Sequence, residues 1–228
     1  MGSIGADLLR RLATGMSLFA FLAATLPARA GETMSFSLVS IDSPNCRGGC
    51  PQVISAQGQI DDGTAQSLLE FLQQNGGGAH RILLLDSPGG HVQAAMELGA
   101  TIRRLGMAVV VARPGGGQAY DGNLPPGICY SACVYALMGG KKRVIPPQSR
   151  VGLHRMYNYN TSFDAAQGGF VNERYYDDGG MRRKLSNYAR RMGVDSGLID
   201  FAERGSSDEV HVLTRAEIQR WRLASQRL

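Results

Sequence analysis

Three stretches of the sequence hold groups that can act on a carbonyl. "PPGICYSACVYALMGG", Pro125 to Gly140, puts one serine, Ser131, midway between Cys129 and Cys133 and ahead of small and apolar residues. If a helix begins there, the Ser131 hydroxyl is exposed at its mouth and the N–H of Ala132 points the same way. The commoner use of serine before a helix is as an N-cap. "DSPGG", Asp86 to Gly90, lies between an apolar run and a helical pattern. Two glycines let the backbone turn sharply and leave N–H groups that can stabilise a developing oxyanion. The bland reading is a strand-to-helix turn. His154 closes "SRVGLH", and a histidine at a strand end can reach a neighbouring loop as a general base or be a half-buried structural imidazole. His80, His91 and His211 have no comparable context.

Four cysteines form two CxxxC pairs, Cys46 with Cys50 and Cys129 with Cys133. An oxidising compartment permits two disulfides, and four cysteines allow three pairings. Local bridges, Cys46–Cys50 and Cys129–Cys133, are the expected ones, since short spans close easily. The rival is a zinc site of four thiolates, but CxxxC is not the usual spacing and no histidine is adjacent. No metal or cofactor is expected.

The N-terminus supplies the compartment. Arg10 and Arg11 precede the apolar "GMSLFAFLAATL", too short for a comfortable membrane span, and "ARA" follows at Ala28 to Ala30. That is the pattern of a signal peptide cleaved after Ala30; an uncleaved anchor is the alternative. The expected mature protein is a single domain, 31–228, periplasmic or secreted and not membrane-spanning. Net charge is +5 with Arg and Lys dispersed apart from "MRRKLSNYARR". Nothing resembles a nucleic-acid-binding motif, so no nucleic-acid partner is expected.

The elements that must position these groups follow from periodicity. "MSFSLVS" and "PQVISAQGQI" read as strands, "TAQSLLEFLQQ" as an amphipathic helix, and "RILLLD" and "MAVVVA" as buried parallel strands on either side of the helix "HVQAAMELGATIRRLG". Arg113 to Ile128 reads as a loop, with a helix starting near Ser131. "KRVIPP" and "SRVGLHRM" read as short strands and "YNYNTSFDAAQGG" as a flexible loop. "NERYYDDGGMRRKLSNYARRMG" reads as mostly helical with a break at Gly179 and Gly180, then come a short helix, the strand "EVHVL" and a last helix capped by Thr214. Alternating strands and helices imply an α/β fold with a mainly parallel sheet.

The order of these features, from SPGG through a helix, a strand and the serine turn to "RVIP" and "SRVGLH" some two dozen residues on, resembles the proteolytic subunit of the Clp protease. The resemblance covers roughly Val53 to Arg155 and points to a secreted branch of the Clp protease/crotonase superfamily. It implies a spiral of strand–strand–helix units and a Ser–His–Asp triad with a backbone oxyanion hole. Matched by position, the nucleophile is Ser131 and the base His154, with oxyanion donors on the N–H groups of Gly90 and Ala132. The acid falls in "RGSSDEVHVLT": Asp208 is the candidate and Glu209 a weaker substitute, while shifted alignments put Ser206 or Val210 there. The implied activity is that of a serine peptidase acting on a peptide or protein. A non-catalytic binding or scaffold protein on the same fold is the second reading. A crotonase-like thioester enzyme and a Ser–Lys dyad through Lys141 or Lys142 rank below both. The family assembles rings through a helical handle after the histidine, so a homo-oligomer is an option, although "YYDDGGMRRK" interrupts that region with glycines.

Overall fold

The computed structural model describes residues 32–40, 52–75, 81–115, 124–176 and 178–224. The leader, Met1 to Ala30, and the Cys46–Cys50 pair lie outside them, as does His80.

The scaffold is a five-stranded sheet in the order β1-β2-β3-β4-β6. It contains β1 (Ser35–Ser40), β2 (Gln52–Gln57), β3 (Ile82–Asp86), β4 (Ala108–Val111) and β6 (Lys142–Val144). Every pairing is parallel except β1 with β2. The central strands β3 and β4 are apolar on both faces, and the alternation along the sheet splits the core in two. Ile54, Leu83, Leu85, Val109 and Val111 face the large cluster that includes the helices. Val53, Leu84, Val110 and Val144 form a smaller one on the other face. Such two-sided burial is what a parallel strand requires.

The helices between the strands are α1 (Thr64–Gln74), α2 (Val92–Arg104) and α3 (Cys133–Met138). All six residues of α3 are buried, so this short helix is apolar all round and belongs to the core rather than the surface. It lies tight against α2. A Cβ on Gly99 would come within 2.0 Å of the Tyr188 hydroxyl, and one on Gly139 within 2.0 Å of the Gly99 carbonyl oxygen. The Tyr188 hydroxyl donates to the Tyr135 carbonyl at 2.8 Å, tying α4 (Gly180–Arg191) to α3.

A second, three-stranded sheet, in the order β10-β7-β5, carries the candidate site. β5 (Ile128–Tyr130) runs parallel to β7 (Arg150–Leu153), and β10 (His211–Val212) pairs antiparallel with β7. β5 begins at Ile128, the last residue of the stretch read as loop, and runs on to Tyr130, where no strand was expected. Beyond β7 the chain forms a hairpin, β8 (Asn158–Asp164) and β9 (Gly169–Tyr175), where a flexible loop and the start of a helix were expected. Polar residues alternate irregularly with aromatic ones there, so no buried face marked the strands; the hairpin is almost wholly exposed. α5 (Gly197–Glu203) and α6 (Arg215–Arg220) complete the chain, and Thr214 forms a capping box with Glu217 as expected from its place. No described helix is long and apolar enough to cross a membrane.

Candidate active site

β3 delivers the glycine turn. The Asp86 carboxylate accepts the Ile128 N–H at 2.8 Å and pairs with the Arg113 guanidinium at 3.2 Å. Ser87 then exchanges backbone hydrogen bonds with β5, its N–H donating to Ile128 and its carbonyl accepting from Tyr130. The turn is thereby stitched to the strand that leads into Ser131. Gly89 and Gly90 have φ of 113° and 138°, values open to glycine and rarely to other residues. Space makes the same demand. A Cβ on Gly89 would sit 2.7 Å from the Tyr130 carbonyl oxygen and 2.9 Å from the Ser131 Cβ. Gly89, one of the two glycines expected to turn the backbone, is the one that lets the turn close on the serine.

Ser131 lies between β5 and α3 with φ of 55°. A non-glycine residue in this left-handed region costs energy and marks a turn held in place by its surroundings. The same geometry lets a side chain project from a sharp strand-to-helix turn. Its N–H donates to the Gly152 carbonyl of β7 at 2.9 Å and its carbonyl accepts from Val134. Cys129 and Cys133 are joined by a disulfide that brackets it, with a Cα–Cα distance of 5.2 Å.

β7 delivers the histidine. His154 Nε2 lies 2.8 Å from the Ser131 Oγ, and His154 Nδ1 lies 2.8 Å from the carbonyl oxygen of Arg155. A carbonyl only accepts, so Nδ1 carries the proton. Nε2 then presents its lone pair to the Ser131 hydroxyl, which is the tautomer a general base needs. Both side chains are only half-buried, so a substrate can reach them. The N–H groups of Gly90 and Ala132 donate to no acceptor among the described residues, which leaves both available to a ligand.

The carboxylate expected at His154 is elsewhere. Asp208 is exposed, with 72% of its side-chain surface accessible, and is bonded to Arg174 of β9. The Arg174 guanidinium also stacks over the Tyr157 ring at 4.2 Å, and that ring lies 5.8 Å from His154. Ser206 approaches the base only through its backbone, accepting the Arg155 N–H at 2.8 Å. Val210 packs against Gly152, and Glu209 is exposed with no hydrogen bond or ion pair among the described residues. The structure thus unites Ser131, His154 and the glycine turn and leaves Asp208 in a surface pair. Arg155, whose carbonyl accepts from His154 Nδ1, carried no sequence signal, because any residue supplies that group.

The remaining candidates lie away from this cluster. Lys141 and Lys142 follow the far end of α3, where Lys141 bonds through its backbone to Met107. His91 pairs with Asp62 and His211 with Glu217 on the surface. No group of metal-ligating side chains occurs among the described residues.

No protein-family model and no curated protein sequence matches the chain. Solved structures do. A mutant of the 1510-N membrane-bound stomatin-specific protease superposes with a TM-score of 0.53 at 16% identity, covering 75% of this chain and 76% of that one. A second mutant of that protease, in complex with a substrate peptide, gives a TM-score of 0.51 at 17% identity over 75% and 72% of the two chains. ClpP1 from Listeria monocytogenes gives a TM-score of 0.47 at 16% identity, covering 74% and 85%. The chain has the Clp-protease-like α/β fold.

Proposed function

We propose that the protein is a serine hydrolase that cleaves peptide bonds by a Ser131–His154 pair. The observation that carries this reading is the 2.8 Å contact between Ser131 Oγ and His154 Nε2, made by a serine held at φ of 55°. Ser131 Oγ attacks the scissile carbonyl carbon while Nε2 takes its proton. The oxyanion accepts hydrogen bonds from the Gly90 and Ala132 N–H groups. Collapse expels the amine with the proton from Nε2, leaving an ester on Ser131. Water, deprotonated by the same nitrogen, then hydrolyses that ester. The Arg155 carbonyl keeps Nδ1 protonated throughout and does for orientation what a triad acid would do, without its charge.

The choice of peptide over other carbonyl substrates rests on the fold, since one structural neighbour holds a substrate peptide. The proposed place of action is the periplasm or the medium, after removal of residues 1–30. The Cys129–Cys133 bridge supports it, because disulfides persist in oxidising compartments.

A second reading has one observation in its favour: among the described residues no carboxylate bonds to His154. On that reading the chain keeps the fold as a binding protein. One experiment separates the two. A fluorophosphonate probe should label the purified mature protein at Ser131, and both Ser131→Ala and His154→Gln should abolish labelling. An unlabelled wild-type protein that binds peptides without cleaving them would establish the second reading instead.

A further inference from the structure

We propose that the Cys129–Cys133 disulfide positions the nucleophile, holding Ser131 in its attacking conformation as well as stapling the fold. This rests on Ser131 being the nucleophile. One end of the bridge is the middle residue of β5, hydrogen-bonded in register to β7, and the other is the first residue of α3. The ring closed by the bridge runs from Cys129 to Cys133 and contains Ser131 and Ala132, the nucleophile and a proposed oxyanion donor. Ser131 is one of two described non-glycine residues with positive φ, the other being Arg222 near the last described residues.

Strain of this kind persists only where the surroundings over-determine it. The Ser131 N–H is held by the Gly152 carbonyl and its own carbonyl by the Val134 N–H, but each of these is a single hydrogen bond that can open. The bridge adds a covalent tie across the same five residues, so the turn cannot lengthen between Cys129 of β5 and Cys133 of α3 when those bonds open. Both sulfur-bearing residues are fully buried beneath the site, so the bridge is packed into the core at the turn rather than laid across the surface. Opening it requires a dithiol, which gives up two electrons and two protons and becomes its own disulfide. The sulfur–sulfur bond of the protein is replaced by two thiols, and Ser131 is then free to leave the contact with His154.

The test uses a protein with Cys46→Ser and Cys50→Ser, so that Cys129–Cys133 is the sole bridge, and the same protein with Cys129→Ala and Cys133→Ala added. Fluorophosphonate labelling of Ser131 is timed by mass spectrometry well below both melting temperatures, with circular dichroism as the check on folding. Losing the restraint should slow labelling by about tenfold, the order of the left-handed penalty for a non-glycine residue. On a cleaved peptide, kcat should fall by a similar factor with KM unchanged. The bridged protein refolded from denaturant with dithiothreitol present should label at the same slow rate, with recovery on reoxidation. Equal labelling rates, with only the melting temperature lowered, would show the bridge to be a staple and overturn the inference. Absence of labelling in the bridged protein would instead overturn the nucleophile assignment, and the inference with it. Should the alanine pair not fold, Cys129→Val with Cys133→Ala restores the lost volume and is read the same way.

Discussion

At the scale of single residues, the site turns on what each ring nitrogen of His154 touches. Nδ1 faces the neutral Arg155 carbonyl, which fixes the tautomer but would offer no negative charge to the imidazolium of the proposed mechanism. On the proposed mechanism the base is oriented by that carbonyl and stabilised less than in a triad. His154→Gln should lower hydrolysis by about 10²- to 10⁴-fold, the usual share of a general base, measured as kcat/KM on a peptide the wild type cleaves. Asp208→Asn should change the same quantity by less than about twofold, because Asp208 meets Arg174 in solvent and exposed pairs carry little energy. A large loss in that variant would place the Asp208 carboxylate at His154 during turnover. Gly89→Ala puts a methyl group 2.9 Å from the Ser131 Cβ at a φ suited to glycine. It should abolish labelling of Ser131 while the rest of the fold survives. The sequence pointed to Ser131 and His154 because each ends or begins an element. It could not point to the Arg155 carbonyl, since backbone groups have no signature, nor to the Arg174–Asp208 pair, whose partners are 34 residues apart.

Among the elements, legibility followed burial. β3 and β4 were readable as unbroken apolar runs because both of their faces are covered. α1 and α2 were readable from helical spacing because one face of each meets the sheet. The hairpin β8–β9 was not, because its residues satisfy one another across the two strands, as Thr161 and Asn172 do at 2.6 Å, and owe little to the core. β5 was hidden for another reason: a three-residue strand among glycines and prolines is stabilised by its neighbours, Ser87 and β7, and not by its own pattern. Contact between α2 and α3 depends on the missing side chain at Gly99. Gly99→Ala would drive a methyl group into the Tyr188 hydroxyl and the Tyr135 carbonyl, and should destabilise the protein by about 1–3 kcal/mol. Chemical denaturation measures it, and a variant as stable as the wild type would mean that α2 and α4 can move apart freely.

Across the whole molecule, the site is assembled from three places in the chain. The glycine turn ends β3, Ser131 follows β5, and His154 follows β7. Sequence order alone makes them candidates; only the pairing of β5 with β7, and of Ser87 with Cys129, brings them together. An assembly of that kind tolerates little local disorder, and a covalent bridge at its centre fits the proposed place of action, where thiols oxidise. The compartment is therefore tied to the chemistry, and it makes the leader testable. Arg10 and Arg11, the short apolar run and the small residues at Ala28 and Ala30 predict export and cleavage. Protein recovered from the periplasm of a bacterial host should begin at Gly31 by intact mass. Non-reducing peptide mapping of it should recover Cys129 linked to Cys133 and Cys46 linked to Cys50. Exported protein that retains Met1 would refute cleavage, and a peptide joining Cys46 to Cys129 would refute the local pairing. Protein without the leader, kept in a reducing cytoplasm, should carry free thiols at positions 129 and 133 and label at Ser131 about tenfold more slowly until it is oxidised.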